Sequence, residues 1–152
     1  MKQVKQMEKR IQIDAIEPEA YQSLVALEQY LQKSQLSRTH KELIKIRASQ
    51  INACAFCIDM HTKDALKYGE SPQRIFLLDA WRETALFTEE ERILLQITEE
   101  VTLIHQGGLS EQTYTKALET FGEHVLSQII MAIIAINGWN RIAISTHKPL
   151  PA

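Results

Sequence analysis

Residues that typically begin or end α-helices divide the chain into short segments. These helix start and stop signals constrain the fold more than any other feature of the sequence. Pro18 suits the first turn of a helix, and Ser37 can cap the start of the next one. Between them, apolar residues recur three or four positions apart, as at Leu24, Leu27 and Leu31. No segment convincingly alternates apolar and polar residues and ends in a hairpin turn. We therefore predict an all-α fold.

The same signals continue through the middle of the chain. Gly69 and the pair Gly107-Gly108 are suited to end helices. Ser71-Pro72 suits the start of a helix that would carry Ile75, Leu77, Leu78 and Trp81. Thr88-Glu89-Glu90-Glu91 has the form of a capping box. We therefore predict that one helix ends and another begins near each of these positions.

Length and composition are those of one globular domain. At 152 residues the chain is long enough to bury a core, and its 45% hydrophobic and 24% charged residues are ordinary proportions. We expect a single bundle of six or seven helices over residues 16–145, with a flexible segment at 1–15 and a tail at 146–152. The net charge of −2, with no basic run, gives no reason to expect a nucleic acid or a membrane as a partner.

The most apolar stretch, Val125 to Trp139, follows Gly122 near the end of the chain. It is too short to span a bilayer, and Ser127, Gln128 and Asn137 interrupt it. Its length favours a central or interface helix over a buried strand. Because it carries more hydrophobic surface than one amphipathic helix needs, we expect part of it to face a partner subunit.

Two cysteines stand at the spacing of a dithiol site. Cys54 and Cys57 are the only cysteines in the chain, and His61 follows four residues later. On a helix all three side chains would point from one face, because each residue advances by about 100°. The short break Ile51-Asn52-Ala53 precedes the pair, so we expect the cysteines to begin a helix. A helix N-terminus stabilises a thiolate, and an imidazole one turn away can exchange its proton. This trio is therefore a candidate redox site.

The expected location of the protein supports redox chemistry. Residues 1–10 are basic but are followed by no apolar signal-peptide core. We therefore expect the protein in the cytoplasm, where thiols stay reduced. In that compartment a CxxC pair is more often redox-active or metal-binding than a structural disulfide.

Two other interpretations of the trio stay open. Two cysteines in a helix can be inert small apolar residues, and a lone histidine is more often a satisfied polar group than a catalyst. The three side chains could also bind zinc, with a fourth ligand from Glu42, His40 or His105. A closed zinc site usually takes two paired clusters, and the chain has one. We therefore favour the redox interpretation and expect no metal and no cofactor.

A longer pattern around the cysteines resembles a known family. Glu42 stands before Cys54 with eleven residues between them, so the chain has a Glu, eleven residues, CxxC, three residues and a His. This pattern closely resembles the core of the alkylhydroperoxidase D-like branch of the carboxymuconolactone decarboxylase family. The closing run Asn137-Gly138-Trp139-Asn140-Arg141 also resembles that family's C-terminal signature. The resemblance extends roughly from Ile16 to Arg141.

The resemblance implies an all-helical homo-oligomer, a trimer or a hexamer, with a peroxidase activity that rests on a cysteine pair. Carried over by position, Cys57 is the peroxidatic thiol and Cys54 the resolving thiol. His61 and Glu42 form the proton relay. Without the resemblance, Glu42 would be interpreted most simply as a salt-bridge partner of the lysines on either side of it.

The expected function is therefore a thiol peroxidase of antioxidant defence. Its substrate is a hydroperoxide, and an external dithiol such as a lipoyl group reduces the disulfide that forms. A thiol–disulfide oxidoreductase would use the same dithiol on protein disulfides. A non-catalytic redox sensor or assembly module would use it to set the oligomeric state. Consumption of peroxide with a dithiol donor separates the first alternative from the last.

Overall fold

The structure, a computed structural model, describes residues 7–151. Their α-helices are α1 (Ile13–Ile16), α2 (Pro18–Gln32), α3 (Arg38–Ile51), α4 (Ala55–Lys67), α5 (Pro72–Phe76), α6 (Glu89–Thr102) and α7 (Glu111–Ser145). Two 3-10 helices, Leu78–Glu83 and Ile104–Gln106, lie in the connections. Residues 7–151 contain no β-strand, so the predicted all-α class is confirmed. Part of the predicted flexible segment, residues 1–6, and the last residue of the predicted tail lie outside the described residues.

The predicted helix starts are confirmed, and those after Ser37 and Thr88 have the predicted side-chain caps. Helix α2 begins at Pro18, and the Ser37 Oγ atom accepts a hydrogen bond from the backbone N–H of His40 at 3.1 Å. Thr88 and Glu91 form the predicted capping box, with reciprocal hydrogen bonds of 3.1 and 2.9 Å. Each cap satisfies N–H groups that the first turn of a helix leaves free.

Two helices end earlier than the sequence signals suggest. Helix α5 stops at Phe76 and tightens into the 3-10 helix Leu78–Glu83. The Arg74 side chain in α5 binds both carboxylate oxygens of Glu91 at 2.8 and 2.9 Å, which ties this short helix to α6. Helix α6 stops at Thr102, before the predicted end at Gly107-Gly108, and a 3-10 turn follows it.

Gly122 kinks α7 at the predicted boundary. Its φ of 74° and ψ of 168° lie in a region that glycine reaches without strain. By length and composition, α7 is the one helix in residues 7–151 that could cross a membrane, a test that the core helix of a folded domain also passes. Beyond the kink its buried face carries the polar Gln128 and Asn140 among isoleucines. This is the pattern of the predicted central helix.

The core lies where α7 packs against α3 and α6. Its fully buried side chains are large and apolar, and they include Ile44, Ile46, Leu94, Ile97, Ile129, Ile133 and Ile136. Burying a side chain of this size contributes about 1.5–3 kcal/mol. Helix α4 packs on α3 and contacts α7, so the turn between α3 and α4 is held against the core. Both cysteines stand at this turn.

Candidate active site

Cys54 is the N-cap of α4. Its φ of −87° and ψ of 97° are extended, and its Sγ atom accepts a hydrogen bond from the backbone N–H of Cys57 at 3.4 Å. The backbone N–H of Cys54 donates to the Ser49 carbonyl at 2.9 Å, which ties the turn to the end of α3. The cysteine pair thus begins a helix, as predicted. Because Cys54 precedes the first helical residue, the expected spacing of about 100° per residue applies directly only to Cys57 and His61.

The two thiols are free and buried, and they face different cavities. Cys54 is 1% exposed and Cys57 is 2% exposed. Cys57 and His61 line a cavity of about 340 Å³. Cys54 lines a second cavity of about 240 Å³, next to His147. Phe56 lines both cavities.

The cavity of Cys57 is largely apolar and carries a few charges. Its apolar lining consists of Tyr21, Phe56, Met60, Trp139, Ile142 and Ala143. Lys45 and Glu28 also line it and pair with each other at 2.7 Å. The ammonium group of Lys148 lies 4.5 Å from the ring centre of Phe56 and faces both cavities. Such a cavity can take an apolar molecule, and the Lys148 ammonium group places a positive charge at one side of it.

Glu42 on α3 meets His61 on α4. The His61 Nδ1 atom lies 3.3 Å from the Glu42 Oε2 atom, and both side chains are largely buried. The distance is that of an ion pair, but the alignment is not that of a hydrogen bond. We treat the pair as a close contact between a carboxylate and an imidazole. Lys45, one of the expected salt-bridge partners of Glu42, binds Glu28 instead.

The surroundings of the two thiols shift their pKa values in opposite directions. The pKa of Cys54 is lowered to about 7 because the Cys57 side chain and backbone N–H both donate to its sulfur, against the effect of burial. The hydrogen bond to Cys54 and burial raise the pKa of Cys57. These hydrogen bonds therefore favour the thiolate form of Cys54, which the family pattern makes the resolving thiol, over that of Cys57.

Asn140 on α7 is a site residue that the sequence did not single out. It is fully buried, and its side-chain amide lowers the pKa of both thiols. The same amide donates to the Ser49 Oγ atom at 3.0 Å and accepts from Asn52 at 2.9 Å. A signal was present, because Asn140 belongs to the closing run Asn137–Arg141 that resembles the family signature.

Of the three predicted fourth ligands of a zinc ion, Glu42 lies beside His61, whereas His40 and His105 have other surroundings. His40 lies 3.8 Å from Glu90 and packs edge-on to Phe121, and His105 is exposed in a 3-10 helix. In the part of the chain that the structure describes, no group of three or more His, Cys, Asp or Glu residues is placed to hold a metal ion.

Comparison with known proteins identifies the family. The model of the carboxymuconolactone decarboxylase family matches residues 18–100, which include Glu42, both cysteines and His61. The chain is 42% identical over 139 residues to the uncharacterized protein YdfG of Bacillus subtilis (strain 168), covering 91% of this chain and 95% of that protein. The chain therefore belongs to the carboxymuconolactone decarboxylase family.

Solved structures share the fold. One is a protein of unknown function from Agrobacterium tumefaciens, a proposed antioxidant defence protein AhpD, with a TM-score of 0.91 and 41% identity over 95% of this chain and 99% of that one. Another is an uncharacterized peroxidase-related protein from Silicibacter sp. TM1040, with a TM-score of 0.80 and 22% identity over 91% of this chain and 73% of that one. At 22% identity the likeness shows the fold alone. The chain falls in the alkylhydroperoxidase D-like branch of the family.

Proposed function

We propose that this protein is a thiol peroxidase of antioxidant defence that reduces hydroperoxides through Cys54 and Cys57. The observation that carries the proposal is the cavity that Cys57 and His61 share, with Glu42 3.3 Å from the imidazole. A hydroperoxide in this cavity would meet a thiol and a proton carrier together. The apolar lining suits the carbon chain of an organic hydroperoxide.

In the first step the Cys57 thiol gives its proton to His61, which Glu42 orients. The Cys57 thiolate attacks the distal peroxide oxygen, so that an S–O bond forms and the O–O bond breaks. The leaving alkoxide takes the proton from His61 and departs as an alcohol. Cys57 is then a sulfenic acid, oxidised by two electrons, and the peroxide has been reduced by two.

In the second step Cys54 attacks the sulfenic sulfur. The S–S bond forms, and the hydroxide that leaves takes a proton from solvent and departs as water. The low pKa of Cys54 supports this role, since the resolving thiolate is present when the sulfenic acid appears. The hydrogen bond between the two thiols would keep Cys57 protonated until a peroxide and the relay are both in place.

In the third step an external dithiol reduces the disulfide. Its thiolate attacks one sulfur, and its second thiol closes a disulfide on the donor, so two electrons pass to the protein. The separate cavity at Cys54 offers a route to that sulfur. A lipoyl-type donor in the cytoplasm, where dithiols stay reduced, meets this need. These steps require no resident metal or cofactor.

The proposal is tested with the reduced protein, an organic hydroperoxide such as cumene hydroperoxide, and dihydrolipoamide as donor. Peroxide should be consumed over many turnovers. Without the donor, mass spectrometry should show the loss of two hydrogens within the peptide that holds both cysteines. The Cys57→Ser variant is the matched control and should not turn over. Unconsumed peroxide with both thiols intact in the unmodified protein would contradict the proposal.

A thiol–disulfide oxidoreductase is the second candidate. It is favoured by the lowered pKa of Cys54 at the N-cap of α4, a position that activates a nucleophilic cysteine. The Cys54 thiolate would attack a substrate disulfide, and Cys57 would release the product by resolving the mixed disulfide. Turnover with a protein disulfide such as that of insulin, without turnover of peroxides, would select this function.

A further inference from the structure

Glu42 and His61 each line a different cavity. His61 lines the cavity of Cys57, whereas Glu42 lines a smaller cavity of about 60 Å³, called the small cavity below. The His61 Nδ1 atom and the Glu42 Oε2 atom lie 3.3 Å apart, so the pair connects the two cavities. The proposed function uses the side of the pair at Cys57 and gives the side at the small cavity no role.

The small cavity is polar and large enough for water. Its lining consists of Arg38, Thr39, Glu42, Ala65, Tyr68 and Glu70. All of these residues except Ala65 bring a polar side chain. A buried water needs about 10–15 Å³ of such space and two to four polar partners. Thr39 and Tyr68 are exposed, so the rim of the small cavity reaches the protein surface.

The other charged groups of the small cavity already have partners. The Arg38 guanidinium lies 4.7 Å from the ring centre of Tyr68, and the Glu70 carboxylate accepts a hydrogen bond from Arg74 at 2.8 Å. The Glu42 Oε2 atom is buried without an aligned hydrogen bond in the part of the chain that the structure describes. The Glu42 side chain as a whole is 12% exposed. Its carboxylate is therefore the group of this cavity that is left to bind water.

We propose that the small cavity is the entrance through which protons from solvent reach the cysteine pair, by way of Glu42 and then His61. The proposal rests on the proposed function and supplies the source of one of its protons. When Cys54 attacks the sulfenic acid of Cys57, an S–S bond forms, the S–O bond breaks and hydroxide leaves. A solvent acid gives a proton to the Glu42 carboxylate, and the His61 imidazole passes a proton to the hydroxide. One proton enters and one water departs.

A separate entrance has a role because the cavity of Cys57 is largely apolar. Such a lining offers few partners for a chain of waters, and the alcohol formed in the first step lies next to Cys57. The first step needs no proton from solvent, since the Cys57 thiol supplies the one that the alkoxide takes. The second step does need one. Closing the small cavity should therefore slow the second step and leave the first unchanged.

The first test fills the small cavity from two helices. Ala65→Val adds two methyl groups at a buried position of α4, one turn after His61. Thr39→Leu places an apolar side chain at an exposed position of α3, so it leaves the core undisturbed. The matched controls are Thr39→Val, which keeps the shape of threonine, and Ala117→Val, at a buried alanine of α7.

Each reduced protein is mixed with cumene hydroperoxide and quenched at intervals, and peptide mass spectrometry counts the sulfenic acid and the disulfide. In Ala65→Val and Thr39→Leu the disulfide should form from the sulfenic acid about ten- to a hundredfold more slowly, within or just below the contribution of a positioned acid. The sulfenic acid itself should form at the rate of the unmodified protein. Both controls should match the unmodified protein in both steps.

Unchanged disulfide formation in the two cavity-filling variants would overturn the proposal. Equal slowing of both steps would also overturn it, because that result indicates a displaced relay and not a closed entrance. Circular dichroism shows whether each variant is folded. If Ala65→Val does not fold, Thr39→Leu alone decides the test.

A second measurement needs no peroxide. NMR of protein labelled with ¹⁵N-histidine follows the exchange of the His61 ring N–H with water. This exchange should be slower in Ala65→Val and Thr39→Leu than in the unmodified protein. It should be unchanged in Ala143→Val, which adds the same two methyl groups to the cavity of Cys57.

Slower exchange in Ala143→Val, with none in Thr39→Leu, would place the entrance at the cavity of Cys57 and overturn the proposal. Because no peroxide is used, this result separates a failure of the proposed entrance from a failure of the proposed peroxidase activity.

Discussion

The Nδ1 atom of His61 lies 3.3 Å from the Oε2 atom of Glu42, across the contact between α3 and α4. Both atoms are buried, and neither has an aligned hydrogen-bond partner among the residues that the structure describes. Bringing a carboxylate and an imidazole together out of solvent contributes little to stability unless other hydrogen bonds complete the pair. The pair therefore fits the proposed proton relay to Cys57, which lines the same cavity as His61.

Replacing the carboxylate of Glu42 should affect the rate more than the stability. Glu42→Gln keeps the size of the side chain and removes the charge that orients His61. Peroxide reduction should slow about ten- to a thousandfold, within or just below the usual contribution of a positioned acid or base. Stopped-flow oxidation of the thiols and the thermal midpoint should be measured on the same variant.

The control for this variant is Glu90→Gln. Glu90 is half exposed and lies 3.8 Å from His40, away from the cysteines. Its loss should change the free energy of unfolding by less than about 0.5 kcal/mol and leave the oxidation rate unchanged. If Glu42→Gln behaves as this control does, Glu42 does not belong to the relay.

The alkylation rate of Cys54 should rise as the pH passes through about 7. A lowered pKa means that the reactive thiolate forms at a lower pH than for an ordinary thiol, whose pKa is about 8.5. In Cys57→Ala the main donor to the Cys54 sulfur is lost, so the midpoint should move up toward the ordinary value. Iodoacetamide labelling followed by peptide mass spectrometry measures both midpoints. An alkylation midpoint near pH 8.5 for Cys54 in the unmodified protein would contradict its lowered pKa.

Removing the charge of Lys148 should slow the oxidation of Cys57. The Lys148 ammonium lies over Phe56, lines the Cys57 cavity and lowers the pKa of Cys57 against burial and the hydrogen bond to Cys54. Lys148→Met should reduce the rate about two- to tenfold, as expected for one charge near a protein surface. Lys148→Arg should restore most of it.

The matched control for Lys148 is Lys63→Met. Lys63 is exposed on α4 and pairs with Asp59 at 2.8 Å, so this variant makes the same change of net charge outside the cavity. Equal rates for Lys148→Met and Lys63→Met would show that Lys148 has no specific effect on Cys57.

Helix boundaries set by local caps were predictable from sequence, whereas those set by tertiary contacts were not. The caps at Ser37 and Thr88 each depend on residues within three positions. The early end of α5 accompanies the contact of Arg74 with Glu91, seventeen positions away. Rules for helix ends and caps use residues only a few positions apart, so they do not predict this contact.

The same distinction holds for the residues of the candidate site. The pattern of Glu42, the cysteines and His61 was visible because its spacing is fixed along the chain. Cys54 lies outside the helix, directly after Ala53, whose φ is 55°. This positive φ is seen only in the folded turn. Asn140 lies 91 positions after Ser49, and only the packing of α7 on α3 brings the two together.

The protein should form a homo-oligomer, a trimer or a hexamer. Met131 and Ile134 lie one turn apart on α7, and each is more than a third exposed in the single chain. An apolar strip of this kind on a helix is typical of a subunit contact. Ile134→Glu should dissociate the assembly, and Thr115→Glu, exposed before the kink, is the control. Light scattering at micromolar concentration that shows only a 17.4 kDa monomer for the unmodified protein would contradict this prediction.

The most direct test asks which sulfur a peroxide oxidises first. Cys54→Ser and Cys57→Ser, each with one thiol, are mixed with one equivalent of cumene hydroperoxide and dimedone, which traps sulfenic acid. Peptide mass spectrometry then locates the adduct. We predict an adduct on Cys57 in Cys54→Ser, formed once and without turnover, and an unmodified Cys54 in Cys57→Ser. An adduct on Cys54 in Cys57→Ser, with none on Cys57 in Cys54→Ser, would contradict the proposed peroxidatic role of Cys57.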